Sequence, residues 1–283
     1  MTERNALALI LFAPVLVWAQ SVSLPSAAHG SANASGIVFT CDANVQAVAG
    51  VCDKLNGQIA GLYASAFSNA TASIYIRFGD TGLGESEFYL ARISYARFRG
   101  ALEKTVSSVN DVTGFSNSVT VTNPIDSSFD VLLTAPLART YGITGFGILP
   151  DGNDCTLGTS GCYDGLVTIS SAMQSAGRLF YRNGSIAPNQ YDFYTIVQHE
   201  ADEILGTFSC ALACNAGRIS AVDVFRYHSD GTRSFAEGDN SPCTAASASN
   251  ACFSFDGKNM LHQYNNVDRK STRLNSSHIT ISY

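Results

Sequence analysis

Charge is the first thing in short supply. Asp, Glu, Lys and Arg together make up 14% of the 283 residues, against 46% hydrophobic. That balance excludes a chain disordered throughout, because apolar content of this size buries a core. Basic residues are scarcer than acids, 17 Lys and Arg against 23 Asp and Glu, and they form no strong cluster. A nucleic-acid binder held by phosphate contacts is therefore not expected. Beyond the first twenty residues no apolar run is long enough to cross a bilayer, so no membrane span is expected in the mature chain. No internal repeat is visible, and no two Cys-x-x-Cys knuckles occur, which argues against a structural zinc ribbon.

Cysteine and glycine are plentiful instead, at eight and 24 residues. A low-charge chain with an even cysteine count reads as an exported protein with disulfides. The cysteines fall into four local pairs, Cys41/Cys52, Cys155/Cys162, Cys210/Cys214 and Cys243/Cys252. Eight cysteines allow on the order of a hundred connectivities. Nearest-neighbour pairing is expected because each pair would staple a short loop rich in Gly, Asn, Ser and Asp. The N-terminus agrees with export. Arg4 precedes an apolar run from Ala6 to Trp18, and Val17 and Ala19 sit at −3 and −1 of a cleavage before Gln20. This is a signal-peptide pattern over residues 1–19, too short for a good span. A secreted, periplasmic or cell-surface location follows.

The other end is unlike the rest. Arg269–Tyr283 carries three basic residues and no acid, and it resembles translated read-through of sequencing-adapter sequence. The native chain is expected to diverge there, truncating a single domain over 20–268, so His278 is set aside. Without this tail the acidic excess grows from 6 to 9. Such a surface suits an extracellular setting, and Asp151-Gly-Asn-Asp154 beside Cys155 offers clustered oxygens for calcium, although not in the twelve-residue EF-hand pattern.

Between the ends the periodicity predicts one α/β domain. Gly36–Thr40 is a short strand. Asn44–Ser68 has helical spacing through Val48, Val51, Leu55, Ile59 and Leu62. Ala72–Phe78 alternates with period two and reads as a strand, followed by a Gly-rich loop over Gly79–Ser86. Tyr95–Val109 is helical in character. Ser118–Val121, Asp130–Thr134 and Asp164–Ser170 are strand candidates, with a helical turn at Ala135–Tyr141.

Asp192–Gly206 carries the chemistry. It reads Asp-Phe-Tyr-Thr-Ile-Val-Gln-His-Glu-Ala-Asp-Glu-Ile-Leu-Gly, with Asp192 as N-cap and Gly206 as the stop. On a helical wheel Phe193, Ile196, Val197, Ala201 and Ile204 form the apolar arc, and Glu200 projects into it. His199 and Glu203, four apart, lie together at its edge, while Thr195, Gln198 and Asp202 fall on the wet side. A carboxylate on a buried face is costly unless something compensates it. A His and a carboxylate at i and i+4 present their tips on one face, as metal ligation requires. The pattern predicts His199 and Glu203 as metal ligands and Glu200 as general base beside a bound water. An ordinary surface pair at a solvated helix edge is the competing account.

The segment His199-Glu200-Ala201-Asp202-Glu203 resembles the His-Glu-x-x-His helix of zinc peptidases, with Glu in the place of the second His. More of the chain resembles a family of secreted bacterial metalloproteases of zincin type whose helix carries His-Glu-x-x-Glu. The matching text is Tyr191–Gly206, Ile219–Tyr227, Gly231-Thr-Arg-Ser-Phe, Cys252–Gly257 and Tyr264-Asn-Asn266, with a weaker match at Gly82-Leu-Gly-Glu-Ser86. The resemblance implies an α+β, zincin-like metallopeptidase core, a mixed twisted sheet with an active-site helix and disulfide-stapled loops. It also implies an edge strand, at Asp164–Ser170, beside the helix, and a secreted zinc endopeptidase acting on a protein or peptide. The third ligand would stand beyond the helix, where Asp223, 24 residues after His199, competes with His228 and His262. An equal alternative makes Asp223 a structural acceptor. Tyr227 could stabilise an oxyanion or simply fill core. Two carboxylate ligands would leave zinc a weaker Lewis acid than two imidazoles. The competing function is a non-catalytic extracellular binding protein that keeps this fold. The oligomeric state is left open.

Overall fold

The computed structural model describes residues 36–67, 69–118, 130–210, 218–234, 243–244 and 250–264. The signal-peptide segment, the Arg269–Tyr283 tail and most of Ser118–Val121 lie outside them.

The fold is mixed α/β, built on several small sheets. The largest has four strands in the order Ile37–Cys41, Ala72–Gly79, Gly165–Ser170, Gly84–Glu87. The first three are parallel and the last is antiparallel to its neighbour. The burial pattern of Ala72–Gly79 alternates as its sequence predicts, with Ala72, Ile74 and Ile76 inside. Every residue of Gly165–Ser170 is buried, as a strand covered on both faces and both edges must be.

This corrects the expectation that Asp164–Ser170 forms the edge. That strand is central, and the edge on this side is Gly84–Glu87, which overlaps the end of the segment expected to be a loop. Its text, Gly-Glu-Ser-Glu, holds no β-branched or aromatic residue, so period-two patterning has nothing to register.

The helical stretch after the first strand is not continuous. It breaks into Ala43–Gln46, Val51–Lys54, a π-helical turn at Leu55–Ile59, and Ala60–Ala66. Gly50, at φ 71°, turns the chain between the first two. Asn56 sits in the π turn, where its amide accepts from Phe39 N and donates to Phe39 O, both at 2.9 Å. That pairing occupies the outer groups of the first strand and blunts the sheet's free edge. Tyr95–Thr105 ends earlier than its spacing suggested. A second helix, Val109–Asn117, follows behind a capping box of Ser108 and Asp111.

One core lies between the four-stranded sheet and the Phe193–Leu205 helix. Ile37, Ile74, Ile76, Val167 and Ile169 meet Phe193, Ile196, Val197, Ala201 and Ile204 there. A second core surrounds a three-stranded sheet of Arg218–Ser220, Asp130–Thr134 and Leu90–Ser94, with Phe98, Val131, Leu133, Ile219 and Val224 at its centre. Disulfides join Cys41 to Cys52, Cys155 to Cys162 and Cys243 to Cys252, as nearest-neighbour pairing predicts. Cys210 is also disulfide-bonded, and Cys214 lies outside the described residues. Among the described residues, no helix is long and apolar enough to cross a membrane.

Candidate metal centre

The Phe193–Leu205 helix starts and stops where its sequence says. Asp192 accepts from Thr195 N at 3.0 Å, and Gly206, at φ 116°, closes the helix. Its N–H reaches back to the carbonyls of Asp202 and Glu203. An L side chain would be strained at that φ, and a Cβ there would lie 2.8 Å from Leu137.

The apolar arc faces the sheet, and Glu200 goes in with it, at 2% exposure. Glu203 is also buried, at 7%, and the His199 side chain stays partly open. His199 Nε2 stands 3.4 Å from Glu203 Oε1. His199, Glu200 and Glu203 form a group whose ligand atoms all lie within 4.8 Å of one another. Among the described residues it is the one cluster of three or more such side chains that could hold a metal ion.

The electrostatics are lopsided. Burial drives the Glu200 carboxyl well above the ordinary carboxylate range, and the neighbouring charges of Glu203 and then Glu85 push the same way. The third acid of the helix is handled differently. Asp202, expected on the wet side, accepts from the Tyr63 hydroxyl at 2.7 Å. Burial lifts its carboxyl to about 6, and the Tyr63 hydrogen bond opposes the rise. Tyr63, on the Ala60–Ala66 helix, thus covers part of the face that a wheel leaves in water, while Thr195 stays exposed.

The edge strand completes the surroundings. Ser86 Oγ donates to Glu203 Oε2 from a residue 117 positions away. The weak Gly82–Ser86 match is the only trace of this in the sequence, and it names no role for Ser86. At Gly84 a Cβ would meet Glu200 Oε1 at 2.6 Å and Ile196 Cγ2 at 2.5 Å. Glycine is needed there because the strand backbone lies against the helix's buried acid.

The outlying candidates fall elsewhere. Asp223 is fully buried but is not part of the cluster. Its carboxylate accepts from Cys210 N at 2.7 Å, Ser220 N at 2.9 Å, Ser220 Oγ at 3.0 Å and Ser209 Oγ. The guanidinium of Arg226, also fully buried, reaches Ser209 Oγ at 3.3 Å and stacks 4.5 Å from the Tyr264 ring. Asp223 thus accepts the hydrogen bonds of a buried polar knot, outside the His199/Glu200/Glu203 group. Tyr227 belongs to the Arg226–Tyr227 strand, its ring 4.1 Å from the Arg233 guanidinium. The His228 ring contacts Asn250 O, and His262 is half-buried, its pKa lowered by that burial; neither joins the cluster. Asp151 caps its own turn through Asn153 N, and among the described residues it gathers no third acid with Asp154.

The chain matches no protein-family model, no curated protein and no solved structure. The site therefore has to be judged on its own geometry. Ligands about 2.1 Å from a tetrahedral zinc lie about 3.4 Å apart. The His199–Glu203 separation meets that spacing, and imidazole nitrogen with carboxylate oxygen is a donor set zinc accepts. Two acids crowded in a poorly solvated place also favour a cation between them.

Proposed function

We propose that this chain is a secreted, zinc-dependent endopeptidase, related to zincin-type metalloproteases. The observation that carries this is the buried Glu200 grouped with His199 and Glu203 on one helix, their ligand atoms within 4.8 Å of one another. His199 and Glu203 would hold the ion. Zinc bound there would supply a Lewis acid for the scissile carbonyl and a water of lowered pKa. Glu200 would serve beside it as the general base and proton shuttle. Burial and its acidic neighbours strengthen its hold on a proton, and a cation bound beside it would bring that hold back towards neutrality. The disulfides and the N-terminal export pattern support an extracellular or periplasmic location, with a protein or peptide as substrate.

One observation favours a second reading, a non-catalytic binding protein on the same fold. The best distal ligand candidate, Asp223, is committed to hydrogen bonds away from the cluster. Glu200→Gln separates the two. Under catalysis the variant folds and binds zinc at one equivalent, and peptide hydrolysis falls by roughly 10²–10⁴-fold. Full-length protein that takes up no transition metal, or a Glu200→Gln variant that hydrolyses as fast as the parent, would rule the peptidase out.

A further inference from the structure

We propose that Ser86 is the positioning residue of the metal site, holding the Glu203 carboxylate so that a single oxygen is offered beside His199. This rests on the metal-site reading above. The two oxygens of Glu203 have different surroundings. Oε2 accepts the Ser86 hydroxyl, and Oε1 faces His199 Nε2 at 3.4 Å. A carboxylate with one oxygen taken by a hydroxyl donor is steered away from chelating an ion through both. Its other oxygen gains a fixed direction, the usual part of an outer-shell donor.

The donor comes from a different element, which makes it a brace and not a local helix contact. The Gly84–Glu87 strand pairs antiparallel with the central strand, Gly84 opposite Ile169 and Ser86 opposite Val167. Side chains alternate along a strand, so positions 84 and 86 share the face turned to the helix. At 84 the missing Cβ leaves room for the Glu200 carboxylate. At 86 the hydroxyl reaches Glu203. Glu85, between them, is exposed. One Gly-x-Ser step on the sheet edge thus accommodates one acid of the helix and orients the other. The ladder to the fully buried central strand fixes where that edge lies, so the backbone that carries the hydroxyl is held in place by the sheet.

The test titrates zinc into chelator-stripped, full-length protein against a competing chromophoric chelator. Ser86→Ala is expected to bind zinc about 10–100-fold more weakly than the parent. X-ray absorption at the zinc edge should count one more oxygen neighbour, as Glu203 turns to offer both. The pair Ser86→Thr and Ser86→Val share a shape and differ in the hydroxyl, so they remain informative even if the Ala variant folds poorly. Thr should bind within a few-fold of the parent and Val should match the loss. Equal affinity in parent and Ala, or an equal loss in Thr and Val, would overturn the positioning role while leaving the metal site standing. If the parent binds no zinc, or His199→Ala binds it as tightly as the parent, the metal site itself is wrong.

Discussion

Three acids on the helix show how one chemical group, the carboxylate, takes three roles by environment alone. Glu200 is buried with acidic neighbours, Glu203 is braced by a serine, and Asp202 is capped by a tyrosine. Asp223 adds a fourth, a carboxylate spent on backbone and hydroxyl donors beside a buried arginine. Burial pulls the Arg226 guanidinium down and the Asp223 charge pushes it back. Removing one partner of such a pair leaves an uncompensated charge inside. Asp223→Asn should therefore cost about 3–5 kcal/mol in urea unfolding and leave zinc stoichiometry unchanged. A variant that kept its stability and lost zinc would make Asp223 a ligand instead. Which of its two expected roles Asp223 takes is not legible in the sequence. An aspartate flanked by valines looks the same whether its carboxylate meets a metal or Cys210 N, and the donors that fill it lie up to 14 residues away.

At the scale of elements, the helix is the most legible part. Its caps and its His199/Glu200/Glu203 spacing are local, and a 13-residue amphipathic segment carries enough periods to be read. The edge strand is the least legible. Four residues with no apolar side chain carry no pattern, and the strand forms because Val167 and its neighbours offer it a ladder. Turns behave like the helix caps, since their bonds close within a few residues. Asp256 accepts from Lys258 N and Asn259 N, both at 2.8 Å, and from Ser254 Oγ at 3.0 Å. The Asn259 and Lys258 backbone donors hold its carboxyl far below the usual range. The folded pKa is depressed, so the contribution is complete above the unfolded value, about 3.9, and is lost as pH falls towards the folded one. Asp256→Ala should unfold at lower urea than the parent at pH 7, with the gap narrowing below about pH 4. A gap that is just as wide at about pH 2.5 would contradict this origin.

Across the whole molecule, the site stands where a helix from one part of the chain meets a sheet of four strands gathered from elsewhere in it. An ion bound by the folded state alone stabilises it by mass action. With zinc at about a hundred times its Kd, that is about 2.7 kcal/mol. Chelation should then lower the Tm by roughly 5–10 °C, and zinc should restore it. Restoration by calcium and not by zinc would reassign the ion. The scarcity of charge, the disulfide pairs and the metal-like spacing on one helix were all present in the chain itself, the first as plain composition and the other two because they depend on residues close in sequence. The identity of the edge beside the helix, the hydrogen bonds of Asp202 to Tyr63 and of Glu203 to Ser86, and the placing of Asp223 in a buried knot came from packing. The bonds that join the helix to Tyr63 and to Ser86 span more than a hundred residues, and local pattern says nothing about which distant surface will cover a side chain.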